Sequence, residues 1–100
     1  MLDMKLVNRN TEAELQLIGR LDTNTASEAE RLLADLTGRF NSLTLDMSQL
    51  DYVSSAGLRV LKIAHMAMRR KGGALTVKNV SKPVMDVFDV TGFASLLKFA

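Results

Sequence analysis

The sequence predicts a single α/β domain, a small mixed β-sheet of four to five strands packed by helices. Three observations carry that prediction. Segments of period-two alternation give way to segments of helical spacing, in the order β-β-α-β-α-β-α-β. One hundred residues suffice for one hydrophobic core, so residues 1–100 form one domain. Hydrophobic residues make up 47% and charged residues 24%, the balance of a globular chain rather than a disordered one.

Leu2, Met4 and Leu6 alternate with Asp3 and Lys5, as in a half-buried strand. Asn8-Arg9-Asn10-Thr11 is turn material, after which Ala13, Leu15 and Leu17 alternate with Glu14 and Gln16 to complete a hairpin. Gly19 and the polar stretch Asp22–Asn24 end the second strand. From Thr25 the period changes. Thr25-Ala26-Ser27-Glu28 fits a capping box, and Ala26, Ala29, Leu32, Leu33 and Leu36 follow at helical spacing as far as Gly38. Leu43, Leu45 and Met47 alternate with Thr44 and Asp46 in a third strand. A loop from Ser48 to Ser54 leads into a second helix, Ser55 to Lys71, closed by Gly72-Gly73. Leu75 and Val77 lie in a fourth strand. Ser81-Lys82-Pro83 opens a third helix with proline in its first turn, where the missing N–H is harmless. Gly92 ends that helix, and Leu96 to Phe99 form a final short strand.

Several function classes are excluded by composition. No apolar run reaches the roughly 18 residues of a membrane span, so no membrane insertion is expected. Met1 to Asn10 alternates instead of forming the apolar region of a secretory signal, which points to a cytoplasmic protein. The absence of cysteine removes disulfides, thiolate catalysis and Cys-based zinc sites, and the lone histidine, His65, removes multi-His metal motifs. A net charge of +2 implies no nucleic-acid partner. The one basic cluster, Arg69-Arg70-Lys71, suits a helix C-terminus, where cations complement the dipole. With aromatics at 5% and no tryptophan, a base-stacking platform is missing too.

Enzymatic readings fail on spacing. His65 lies on the same helix as Ser55, roughly 15 Å further along by rise, and neither Ser54 nor Ser55 completes Gly-x-Ser-x-Gly. Gly72-Gly73 is not a Walker loop, because no Gly-Lys-Ser/Thr follows. Asp22, Asp46 and Asp51 show no spacing that selects Mg²⁺ over ordinary loop carboxylates. The chain is read as a non-enzyme with no cofactor of its own.

In folds of alternating strands and helices, partners meet the loops beyond the carboxyl ends of the strands. Asp22 and nearby Asn24 follow the second strand, Asp46 is placed near the end of the third, and Ser54-Ser55 precede the second helix. Asp22 and Asp46 also suit a structural role, since Asp in loops bonds nearby backbone. Helical projection puts Val60, Leu61, Ala64, Ala67 and Met68 on the core face of the second helix, with Gly57 and Ile63 at its edges. The opposite face carries Ser55, Leu58, Arg59, Lys62, Met66 and Arg69. Leu58 and Met66 are the apolar residues of that charged face, which marks it as a docking surface.

The stretch Leu45-Asp46-Met47-Ser48-Gln49-Leu50-Asp51-Tyr52-Val53-Ser54-Ser55-Ala56-Gly57-Leu58 resembles the STAS-domain anti-sigma factor antagonists of bacterial partner-switching systems. That family shows a strand ending in Asp-Leu-Ser, an aromatic-aliphatic pair, then Asp-Ser-Ser/Thr-Gly-Leu or Ser-Ser-Ala-Gly-Leu. Ile18-Gly19-Arg20-Leu21-Asp22 resembles its Gly-x-Leu-Asp turn, and Val90-Thr91-Gly92-Phe93 its late helix end. The likeness spans nearly the whole chain in the right order. It implies a STAS domain over residues 1–100 and a reversibly phosphorylated serine two residues before Gly-Leu, a position held here by Ser55. Ser54 stands where the family usually has Asp and is the second choice as acceptor.

By resemblance, the unphosphorylated form binds a serine-protein kinase anti-sigma factor and releases its client. Phosphorylation of Ser55 abolishes that binding, and a PP2C-type phosphatase restores it. The implied partner-binding residues are Asp22, Asn24, Asp46, Ser54, Gly57, Leu58, Arg59, Lys62 and Met66. A serine before a helix also has a structural role, capping an early backbone N–H. A phosphate there would face unpaired N–H groups and the positive end of the helix dipole, and would add roughly −1.5 to −2 charges. Two other roles suit the same residues: a STAS scaffold in a lipid-transport or sensory assembly, and a nucleotide or small-ligand module on the Asp22/Asp46 edge.

Overall fold

A computed structural model describes residues 1–100. The turn Asn10–Thr11, with Asn10 in the left-handed region at φ 65°, joins β1 (Leu2–Arg9) to β2 (Glu12–Leu21) as an antiparallel hairpin. Then follow α1 (Ala26–Arg39), β3 (Ser42–Val53), α2 (Ser55–Arg70), β4 (Ala74–Lys78), α3 (Lys82–Thr91), α4 (Phe93–Leu96) and β5 (Lys98–Phe99). The sheet order is the chain order, with β2 through β5 mutually parallel. Each crossover steps the same way along the sheet, so right-handed connections put the helices on one face. Burial agrees. Ala13, Leu15, Leu17, Leu43, Leu45, Met47, Leu75 and Val77 are buried beneath the helices. Their neighbours Glu14, Gln16, Thr44, Thr76 and Lys78 form an open polar face, where Lys78 Nζ pairs with Glu14 Oε1 at 2.8 Å. The expected mixed sheet and element order are both present.

The third strand differs from expectation. It continues past Met47 to Val53, through the segment Ser48–Ser54 that reads as a loop. Two register shifts against β2, between Gln16 and Ile18 and between Gly19 and Arg20, insert extra residues into β3. Its buried apolar positions therefore run Leu43, Leu45, Met47, then Leu50 and Val53. Bulged backbone needs other partners, and side chains supply them. Asp46 Oδ1 accepts the Ser48 N–H at 2.9 Å, and the Ser81 hydroxyl donates to the Leu50 carbonyl at 2.7 Å.

The capping box does not form either. The Thr25 hydroxyl accepts the Asp22 N–H at 2.9 Å and donates to the Arg20 carbonyl at 2.9 Å, so it faces back along the chain. At the other end, α1 runs through Gly38 to Arg39. Lys71 Nζ donates to the Thr37 and Phe40 carbonyls at 2.8 and 3.0 Å, tying the ends of α1 and α2 together. Gly92, at φ 84°, stops α3 as expected, but the short helix α4 intervenes before a two-residue β5. There the fully buried Phe88 packs against Phe93 and Phe99, with ring centroids 6.4 and 6.3 Å away.

Candidate functional site

The end of β2 meets the start of α2 at Leu21. The Leu21 carbonyl accepts the Ser54 N–H at 2.9 Å. A Cβ on Gly57 would stand 2.7 Å from that same oxygen and 2.8 Å from Leu21 Cγ, so only glycine lets the helix approach this closely. Gly57 is thus buried and holds the helix start in place, which corrects its expected role as a contact residue. Ser54 is the N-cap, and its Oγ accepts the Gly57 N–H at 3.2 Å. Ser55, the first residue of α2, is exposed, and its hydroxyl makes no hydrogen bond within the chain. The capping role belongs to Ser54, which leaves Ser55 free. No acidic residue occupies the first turn of α2, so its positive dipole end is uncompensated.

Asp22 lies beside this junction. Its Oδ1 accepts the N–H groups of Asn24 and Thr25 at 3.0 and 3.2 Å, while Asn24 itself is exposed. Desolvation works to raise the Asp22 pKa. The N–H groups of Asn24 and Thr25, the Thr25 hydroxyl and the Arg20 guanidinium outweigh it, and the carboxyl titrates below its ordinary value. Arg20 Nε lies 3.5 Å from Asp22 Oδ2, and the guanidinium carbon stands 4.3 Å from the centroid of the exposed Tyr52 ring. Sequence reasoning missed this Tyr52–Arg20–Asp22 stack. The signal for it is the pairing of Arg20 with Tyr52 across β2 and β3, which follows only after two register shifts.

Asp46 is not at the end of its strand. It sits within β3, level with Gln16 and Lys78, and the segment Met47–Val53 separates it from Ser54. With only 8% of its surface exposed, burial pushes its pKa up, but the opposing contributions are larger. The Ser48 N–H and hydroxyl, the Asn79 side chain and the Lys78 charge bring it below the ordinary value. Its carboxylate holds the bulge of β3 and makes no hydrogen bond to Ser54 or Ser55.

Helix α2 buries a wider arc than the projection allows. Val60, Leu61, Ala64 and Met68 are buried as expected, but Leu58 (7% exposed) and His65 (9%) are buried as well. Leu58 is therefore a core residue, and it leaves the docking face. The reason is that α2 is flanked on both sides: Val60, Ile63, Ala64 and Ala67 border the seam with α1, whereas Leu58 and His65 lie on the opposite flank. His65 Nδ1 has no hydrogen-bond partner. Ser55 is on the exposed side and His65 on the buried one, so no serine–histidine dyad exists. The outward face that remains comprises Ser55, Arg59, Lys62, Ile63, Met66, Arg69 and Arg70, all exposed. None of its four cations takes part in an ion pair. A cleft of about 280 Å³ follows the α1–α2 seam, and no cleft in the molecule is lined by Asp22 or Asp46.

The helix start thus combines a capping serine, an exposed serine with no hydrogen bond, and a basic face without ion pairs. The STAS domain family model matches residues 4–100, and the chain belongs to that family and to its anti-sigma factor antagonists. It is 34% identical over 79 residues to BtrV of Bordetella bronchiseptica, which is named as an anti-sigma factor antagonist; the match covers 75% of this chain and 68% of BtrV. Among solved structures, the anti-sigma factor antagonist from Mycobacterium paratuberculosis superimposes with a TM-score of 0.87 at 16% identity, over 99% of this chain and 85% of that one. The anti-sigma factor antagonist SpoIIAA in its unphosphorylated form gives 0.81 at 17% identity, over 100% and 88%. Phosphorylated Bacillus SpoIIAA gives 0.75 at 17% identity, over 100% and 91%.

Proposed function

We propose that this chain is the reversible competitor in a bacterial partner switch. Unphosphorylated, it binds a serine-kinase anti-sigma factor in the cytoplasm and releases the client that the kinase protein holds. The kinase then transfers the γ-phosphoryl group of ATP to Ser55 Oγ, leaving ADP, and the complex separates. A PP2C-type phosphatase hydrolyses the phosphoserine and restores the binding form. The observation that carries this reading is the division of roles at the helix start. Ser54 caps α2, and Ser55 offers an exposed, unengaged hydroxyl. That SpoIIAA, of the same fold, exists in phosphorylated and unphosphorylated forms supports it.

A phosphate on Ser55 would meet the first-turn N–H groups and the positive dipole end, so the fold tolerates it. It would also face Arg59 at i+4 and reverse the local charge where a partner docks. The docking surface in this reading is Asp22, Asn24, Ser54, Arg59, Lys62 and Met66, extended by Arg20 and Tyr52. Intact-mass spectrometry with peptide mapping tests it, on protein incubated with ATP and an active serine-kinase anti-sigma factor. One phosphate on Ser55, none on Ser55→Ala, and retained binding of Ser55→Ala are expected. Phosphate on Ser54 would move the acceptor by one residue. Neither phosphate nor binding would sink the reading.

A further inference from the structure

We infer that the free edge of β1 is a self-docking surface, on which a second copy of this chain adds antiparallel and joins two five-stranded sheets into one. The inference is independent of the Ser55 switch, because it uses the opposite margin of the hairpin from the one that packs on β3.

β1 terminates the sheet, and its ladder with β2 runs from Leu2↔Gly19 to Arg9↔Glu12 without a register shift. It is eight residues long and contains no proline, whereas the other edge strand, β5, has two residues. Free edges are ordinarily shortened, bulged, interrupted or charged to prevent pairing with another chain. This one carries charges at Asp3, Lys5 and Arg9, of which Asp3 and Lys5 can complement each other across a two-fold axis, and it is neither short, bulged nor interrupted. It also leaves Leu6 40% and Val7 42% exposed.

The phase of the ladder settles which backbone groups face outward. Arg20 N–H donates to the Met1 carbonyl at 3.0 Å, so Met1, Asp3, Lys5 and Val7 bond toward β2. Leu2, Met4 and Leu6 then present their N–H and C=O groups to the free edge.

Among the registers centred on Asp3, Met4 and Lys5, side chains select one. A two-fold axis perpendicular to the sheet must pair residues of the same face. Centring it on Met4 sets Met4 against Met4, Leu2 against Leu6, and Asp3 against Lys5 twice. Moving the centre to Asp3 or to Lys5 sets like charges directly opposite, which is destabilising. Neither Asp3 nor Lys5 has an ion-pair partner within its own chain. In the Met4-centred register they meet at a non-hydrogen-bonded pair, where Cα atoms approach to about 4.5 Å and side chains are closest. Leu6 is covered by the second copy's Leu2 at the same time.

Sedimentation equilibrium on the full chain, up to about 1 mM at fixed low salt, tests the inference. A concentration-dependent dimer is expected. Lys5→Asp or Asp3→Lys alone turns two attractive pairs into two repulsive ones, and each should weaken dimerisation about tenfold or more. The double variant Asp3→Lys/Lys5→Asp restores opposite charges and should recover the wild-type constant. Circular dichroism and monomer mass confirm that each variant folds. Amide exchange at Met4 and Leu6 should slow with concentration in the wild type. A monomer throughout the range would overturn the inference. So would a dimer indifferent to the single swaps, or one that the double swap fails to restore.

Discussion

The Oγ of Ser54 accepts the N–H of Gly57 at 3.2 Å, and Gly57 in turn lies against the carbonyl of Leu21 that receives the Ser54 N–H. These contacts fix the first turn of α2 onto the end of β2 before any partner arrives. Ser55 is carried on that turn and takes no part in holding it. In the proposed switch, a docking surface that is already ordered loses little entropy on binding, so a charge added at Ser55 would act on the complex rather than on the fold.

This division of roles separates two neighbouring serines by stability. Ser54→Ala removes an N-cap and should cost about 1 kcal/mol. Ser55→Ala removes an exposed hydroxyl with no hydrogen bond and should stay within about 0.5 kcal/mol of wild type. Urea unfolding with an unchanged m-value measures both. Equal losses would contradict the assignment of the cap to Ser54.

Glycines at 57 and 38 should respond oppositely to alanine. At Gly57 the new Cβ would press on backbone, 2.7 Å from the Leu21 oxygen, and the expected loss is about 1–3 kcal/mol. At Gly38, inside α1, nothing lies within 4 Å of an added Cβ. Alanine there should stabilise by about 0.4–1 kcal/mol through a less flexible unfolded chain. Thermal melts of the two variants side by side decide it.

The hairpin and both long helices are legible in the sequence because local rules suffice for them. Period-two alternation marks β1 and β2, and the apolar stripe of α2 marks Val60, Leu61, Ala64 and Met68. What local rules do not contain is the bulged pairing of β2 with β3. It carries Leu50 and Val53 into the core out of phase with Leu43 and Leu45, turns an apparent loop into strand, and sets Tyr52 above Arg20. A helical wheel shows one buried face and so places Leu58 at the surface, whereas α2 is covered on two flanks. The spacing of Thr25 to Glu28 fits a capping box. In the fold, its hydroxyl is claimed by Asp22 and Arg20 first.

Acidification should destabilise the protein through Asp46 and Asp22. Both carboxyls titrate below the ordinary value of 3.8 when folded, so their contribution is complete above that value. It is lost as pH falls through 3.8 toward the lower folded values. Asp46→Asn keeps an acceptor for the Ser48 N–H and removes the charge, so a loss of about 1 kcal/mol at neutral pH is expected. The variant should also show a shallower fall in urea midpoint between neutral pH and pH 3. Wild-type stability that rises on acidification would reverse the sign of the argument.

In the proposed switch, the basic face of α2 should govern how fast the kinase partner arrives. Arg59 and Lys62 are exposed and unpaired, so reversing either to glutamate should lower the association rate and change its salt dependence, with a smaller effect on dissociation. Stopped-flow binding at two ionic strengths measures this. Leu58→Ala gives the contrasting case, a core truncation expected to cost about 2–5 kcal/mol of stability.

Lys71 closes the two-helix layer. Its Nζ donates to the Thr37 and Phe40 carbonyls, the last acceptors of α1, and places a cation at the negative end of that helix. Those carbonyls have no helical donors of their own, so Lys71→Met leaves them to water and removes two charge-assisted bonds. Partial exposure of the site screens the charge, and a loss of about 1–2 kcal/mol is expected. Arg70→Met removes a neighbouring cation that has no ion pair, and it should change stability by less than about 0.5 kcal/mol. Hydrogen exchange localises the effect: amides in the last turn of α1 should lose protection in Lys71→Met and keep it in Arg70→Met. Matching losses in the two variants would show that net charge, rather than the geometry of the Lys71 bridge, holds α1 against α2.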